Sequence, residues 1–253
     1  MSEESRYVYP TAEELAAAAA FDLTRLAQRS VVANGLFTIA LSGGSTPRAL
    51  YTLMATDPAY RNFPWDKTHL FFGDERHVPP NHPDSNYLMV KNSLLSAGLV
   101  PEANVHRIHG ELPDAHQAAA DYDVEMRTFF TEDKRLNGFP RFDVILLGMG
   151  PDGHTASLFP GSKGLEEKER WVIANPIEQF KRDRITFTYP VLNSARIVYL
   201  LVAGPDKTTM LYNVWVEYRH KPRYPVQFVQ PVDGMKIWLM DKVAAQKLPP
   251  VLT

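Results

Sequence analysis

A chain of 253 residues, 45% hydrophobic and 22% charged, holds enough apolar surface for one large core, and a single α/β domain spanning residues 1–253 is the simplest expectation. Its formal net charge of −2, with lysines and arginines scattered along the chain, offers no basic stripe, so no nucleic-acid or membrane partner is expected. The lack of cysteine excludes disulfides, thiolate metal sites and a cysteine nucleophile; MSEESRYVYP carries no apolar signal core and no run reaches the length of a membrane span, so a cytoplasmic protein is expected.

In chain order, the spacing first predicts an amphipathic helix over 11–32, with Thr11 as N-cap, Glu13 and Glu14 in its positive first turn and Gly35 beyond its end. LFTIAL (36–41), THLFF (68–72) and FDVILL (142–147) are short, nearly continuous apolar runs, the signature of strands buried on both faces. Helical patterns at 47–54, 85–96 and 114–134 alternate with them, which predicts a mainly parallel sheet with helices on both sides. WVIA (171–174), RITFTY (184–189) and IVYLLVA (197–203) are further strand candidates, followed by a helix from 206 to about 218 and a last strand KIWLM (236–240). The proline-rich stretches at 78–83 and 222–231 read as rigid loops.

In open α/β sheets ligands bind outside the carboxyl ends of strands, so the turns leaving these runs carry the interest. In LSGGSTPRALY (41–51), Gly43 and Gly44 relax the backbone, Ser45 and Thr46 can cap, and Pro47 suits a first helical position. Free N–H groups beside the positive end of a helix favour a phosphate. No Walker A pattern is present, so nucleotide hydrolysis is not expected. In FFGDERHVPPNHPDSNY (71–87), Asp74, Glu75 and Arg76 leave an apolar strand, where unpaired charge is costly. His77, His82 and Asp84 match no ligand spacing, so no metal is expected there, and Asp84 and Ser85 read as helix caps. In DVILLGMGPDGHTASLFPG (143–161), Gly148, Gly150 and Gly153 spell GxGxxG, but Pro160 and Gly161 leave no room for the helix a dinucleotide needs. What remains is a glycine-rich turn presenting Asp152 and His154.

Together, LSGGSTP, GDER with a following SN, and GMGPDGHTASLFPG resemble the 6-phosphogluconolactonase family, within a larger group that includes glucosamine-6-phosphate deaminase. The similarity extends to ITFTYPVLNSA (185–195) and AGPDK (203–207). The resemblance implies a Rossmann-like three-layer α/β/α sandwich and hydrolysis of 6-phospho-D-glucono-1,5-lactone, a small sugar-phosphate substrate, without a cofactor. It identifies Ser42, Gly43, Gly44, Ser45 and Thr46 as the sugar-phosphate loop and His154 as the catalytic histidine; Arg184 and Lys207 lie where cationic side chains of the deaminases reach the phosphate. The deaminases carry a glutamate after the DGH segment, where this chain has Ser157-Leu158-Phe159-Pro160, which disfavours deamination.

These residues support a water-mediated reaction in which His154 is general base, Asp152 orients its ring, and Asp74 and Arg76 complete the catalytic set. Arg76 has two roles open to it, holding the oxyanion or holding Asp74; His77 and the arginines of KRDR (181–184) stay unassigned. Ser42 and Ser45 are expected to hydrogen-bond rather than attack, because GGSTP is not a nucleophile elbow. The rival readings are a sugar-phosphate deaminase or isomerase on the same fold and a non-catalytic sugar-phosphate sensor. Nothing in the sequence sets an oligomeric state.

Overall fold

The structure is a computed structural model that describes residues 3–177 and 182–250. Its first part runs β1 (Glu3–Tyr9), α1 (Ala12–Asn34), β2 (Phe37–Leu41), α2 (Ser45–Thr56), β3 (Thr68–Phe72), β4 (Asp74–Arg76), α3 (Asn86–Ser93), β5 (Val105–His106) and α4 (Ala115–Phe129). The rest runs β6 (Arg135–Leu136), β7 (Phe139–Pro140), β8 (Val144–Leu147), β9 (Val172–Ile177), β10 (Arg182–Phe187), α5 (Tyr189–Ser194), β11 (Ile197–Val202), α6 (Thr208–Tyr212), β12 (Met235–Asp241) and α7 (Lys242–Ala245).

Seven strands pair in the order β1-β12-β11-β8-β2-β3-β5, every pairing parallel. Every residue of β2, β8 and β11 is buried, which requires cover on both faces and yields the expected α/β/α layering with helices flanking the sheet. α1 shows how one helix supplies that cover. Thr11 accepts a hydrogen bond from Glu14 N–H, Gly35 closes the other end at φ 79, and Leu15, Ala16, Ala19, Leu23 and Ala27 form its buried stripe. Small alanines at that stripe let the helix axis lie close to the sheet.

Three differences from the sequence expectation have physical reasons. WVIA and RITFTY form strands, but in a separate antiparallel sheet ordered β4-β10-β9, and not in the parallel one. Its third member is the charged DER segment, which composition alone does not mark as a strand. Gly73 joins the two sheets: its N–H donates to Leu41 O at 2.9 Å, and its C=O accepts from Phe187 N at 2.9 Å. The helix expected at 206–218 is broken into a 3₁₀ turn (Pro205–Lys207), α6 and a π turn (Asn213–Glu217). Finally, β1 escapes hydrophobic patterning because it is an edge strand with Tyr7 and Val8 exposed.

Candidate functional site

β2 is followed in the chain by β3 but lies beside β8 on its other flank, so the strand order reverses between β2 and β8. The turns leaving both strands open there, at the position where parallel sheets bind ligands. Ser42, Gly43, Gly44, Ser45 and Thr46, with Asp74, Arg76, Asn86, His154 and Lys207, line one cleft of about 250 Å³.

The loop after β2 turns straight into α2. Gly44 is the N-cap at φ 112, a backbone region closed to most side chains, and no side chain caps the helix. Ser45 and Thr46 are its first residues, two positions earlier than expected, so Pro47 stands third in the helix instead of first. Their N–H groups precede any intrahelical acceptor and bring the positive helix end to the cleft. Ser42 is pinned from behind, since Tyr51 Oη accepts from Ser42 N–H at 3.1 Å and donates to Ser42 O at 3.0 Å. Ser42 Oγ is buried with no partner among the described residues, which makes it the loop's spare hydrogen-bonding group.

The turn after β8 contains no helix, as Pro160 and Gly161 lead one to expect. His154 Nδ1 lies 2.6 Å from Asp152 Oδ1, and the His154 N–H donates to the same oxygen at 3.1 Å. Burial works to raise the Asp152 pKa, but the hydrogen bonds and charge of His154 outweigh it and hold the carboxyl below its ordinary value. An ionised carboxylate only accepts, so Nδ1 is the nitrogen that donates to it and Nε2 is the one left clear of Asp152. Phe159 backs the imidazole at a ring distance of 4.1 Å. A Cβ on Gly150 would stand 2.1 Å from both Cε1 and Nδ1 of His154, so the ring occupies space that only glycine leaves.

Asp74 and Glu75 are 7% and 2% exposed, and hydrogen bonds explain how such charge is buried. Glu75 accepts from the N–H groups of Arg76, Asn86 and Tyr87 and from Ser85 Oγ at 2.7–2.9 Å. Burial pushes its pKa up, and those four donors oppose the shift. Asp74 accepts from Ser157 Oγ at 2.7 Å and Asn86 Nδ2 at 3.3 Å.

Not every residue singled out in the sequence comes to the cleft. Asp152 stands behind His154, 2.6 Å from its Nδ1, and is not among the residues that line the cleft. Arg184 pairs in register with Arg76 across β10 and β4 and is not among the described lining residues. Burial, then the neighbouring Arg76, lowers its pKa from the usual guanidinium value, with Asp74, Asp84 and Glu75 opposing. Lys207 reaches the cleft while its Nζ lies 2.8 Å from Asp206. Arg76 Nη1 donates to Asp84 O. Ser85 caps α3 by accepting from Leu88 N–H at 3.1 Å, whereas the Asp84 carboxylate does not cap and lies 3.7 Å from His82. His77 is turned away, its Nε2 2.6 Å from Leu112 O. Of the KRDR segment, Lys181 lies outside the described residues. Sequence reasoning assigns Asn86 no role: capping is expected of Asp84 and Ser85, and the SN that follows GDER is the signal that marks Asn86.

The family model for glucosamine-6-phosphate isomerases/6-phosphogluconolactonase matches residues 10–238. The chain belongs to that family. Among its relatives, a 6-phosphogluconolactonase of Nostoc sp. is 41% identical over 226 residues, covering 89% of this chain and 90% of the relative. A 6-phosphogluconolactonase of Synechocystis sp. is 41% identical over 222 residues, covering 88% and 89%. The solved 6-phosphogluconolactonase from Trypanosoma cruzi superposes with a TM-score of 0.83 at 29% identity, covering 99% of each chain. Among the described residues no helix of this family member is long and apolar enough to cross a membrane.

Proposed function

We propose that this chain hydrolyses 6-phospho-D-glucono-1,5-lactone to 6-phospho-D-gluconate, the reaction of the oxidative pentose phosphate pathway, with His154 as general base. One observation carries the reading: the Asp152-held imidazole and the 42–46 loop open into the same cleft. His154 Nε2 takes a proton from water as the water oxygen attacks the lactone carbonyl. The tetrahedral oxyanion then collapses, the bond from the carbonyl carbon to the ring oxygen breaks, and the imidazolium returns the proton to that oxygen. Water alone balances the reaction, so no cofactor is called for.

The 42–46 loop, the first N–H groups of α2 and Lys207 are proposed to hold the phosphate, so that binding at the remote end aligns the carbonyl with the water. Arg184 is retained in this role only through its position beside Arg76, and Arg76, inside the cleft, is the nearer candidate for the oxyanion or the phosphate. Single-domain organisation belongs to the same proposal and is supported by one apolar core running under site residues drawn from 42 to 207. So does a cytoplasmic location, which imaging of a tagged chain tests.

Stopped-flow acid release from freshly generated 6-phosphogluconolactone, corrected for spontaneous opening, decides the reaction; no acceleration above background overturns it. Ammonia release from glucosamine 6-phosphate would instead reveal the deaminase activity. Lys207→Ala is expected to raise KM for the phosphorylated lactone about tenfold or more, as loss of one charge-assisted contact does, and to spare an unphosphorylated lactone.

A further inference from the structure

We propose that Asn86 is a positioning residue for this hydrolysis, its side-chain amide setting the distance between Asp74 and the 42–46 loop. The inference rests on the lactonase reading and adds a residue to it. Asn86 is almost wholly buried and is the first residue of α3. Its Nδ2 donates to Asp74 twice, to the backbone O at 2.9 Å and to Oδ1 at 3.3 Å. On its other side the amide lies against the loop: a Cβ on Gly43 would stand 1.9 Å from Asn86 Oδ1 and 2.7 Å from Cγ. The missing side chain at 43 is therefore filled by the Asn86 amide, and one planar group touches both walls.

The amide cannot drift, because its own backbone is clamped. Asn86 N–H donates at 2.7 Å to Glu75, the buried carboxylate that also gathers Ser85 Oγ and Tyr87 N–H. Glu75 follows Asp74 directly in β4, so α3 and β4 are bolted together at the point where Asn86 reaches back. Ser157 Oγ holds the second Asp74 oxygen at 2.7 Å. A carboxylate accepts about four hydrogen bonds, and these two fix its plane while leaving further lone pairs for a ligand. The hydroxyl-rich ring of a sugar lactone is a ligand with donors to match. A carboxylate so held meets them at one distance from the phosphate loop, and a displacement there moves the reacting carbonyl away from His154.

The test is a double-mutant cycle on turnover of 6-phosphogluconolactone, with Asn86→Ala, Asp74→Asn and the pair. Asn86→Ala is expected to lower kcat roughly 10- to 100-fold, the worth of a hydrogen bond to a charged group, with a smaller change in KM. If Asn86 acts through Asp74, adding Asn86→Ala to Asp74→Asn costs less than about twofold more. Fully additive losses, or a lowered Tm with kcat intact, overturn the inference. Should Asp74→Asn fail to fold, product binding by the Gly43 and Asn86 variants decides instead.

Calorimetric binding of 6-phosphogluconate gives an independent arm. Gly43→Ala is expected to abolish product binding in the wild-type background and to be tolerated when Asn86 is alanine, since both clashing atoms are then gone; equal damage in both backgrounds counts against the contact. A wild-type chain that leaves the lactone unopened removes the lactonase reading and this inference with it. Wild-type turnover with an undiminished Asn86→Ala removes the inference alone.

Discussion

His154 and His106 each set Nδ1 against a carboxylate, at 2.6 Å from Asp152 and 2.7 Å from Glu125. Their surroundings differ. His154 lines the cleft, with Nε2 unpartnered among the described residues and Gly150 clearing the space beside the ring. His106 gives its Nε2 to His69 Nδ1 at 3.0 Å and lies flat on Phe71 at a ring distance of 4.1 Å. Side-chain exposure is 26% for His154 and 12% for His106. A histidine–carboxylate pair alone therefore does not single out the proposed base. What separates the two is whether the second nitrogen is already committed to the fold.

The largest test of that contrast is His154→Ala, expected to lower kcat by roughly 10²–10⁴ while 6-phosphogluconate still binds, read from steady-state kinetics and calorimetry together. Next comes Gly150→Ala. The pair chemistry stays intact, but the added methyl displaces the ring, and a kcat loss of roughly 10²-fold is expected for a misplacement on the order of 1 Å. Turnover within twofold of wild type would mean that ring placement matters less than the geometry indicates.

The smallest effect sharpens the contrast from the other side. Burial, followed by His106 and Lys134 nearby, pushes the His69 pKa down to about 4. In the unfolded chain the same group titrates near 6.5. Between those values the unfolded state binds the extra proton, so the His69 contribution to stability grows as pH rises through about 4 to 6.5 and levels off above. His106 and Lys134 are the neighbours that contribute, and Glu125 stands behind His106, 2.7 Å from its Nδ1. His69→Phe is expected to flatten that part of the Tm–pH curve and leave turnover at pH 8 unchanged; an unaltered slope would show that His69 is not the group responsible.

Much of this was legible from residues alone, for reasons the structure makes plain. Continuous apolar runs read as buried strands because β2, β3 and β8 have neighbours on both faces. α1 was legible to within two residues because Thr11 and Gly35 cap it by side chain and backbone. The DER strand was not, because its fitness for a sheet depends on donors from a segment ten or more residues later. Asn86 hid for a related reason: its backbone position is that of an ordinary helix start, while its side-chain partners, Asp74 and Gly43, come from β4 and from the loop after β2. Spacing along a chain reports local geometry. It is blind to which distant turns will meet.

Tyr51 gives the loop at 42–46 one further property. By receiving the amide hydrogen of Ser42 and returning its own to the Ser42 carbonyl, one phenol from inside the core locks both sides of the loop's first residue. The phosphate proposed to bind there therefore meets a loop whose first residue is settled before it arrives. Little ordering entropy is left to be lost on contact, and more of the attraction survives as affinity.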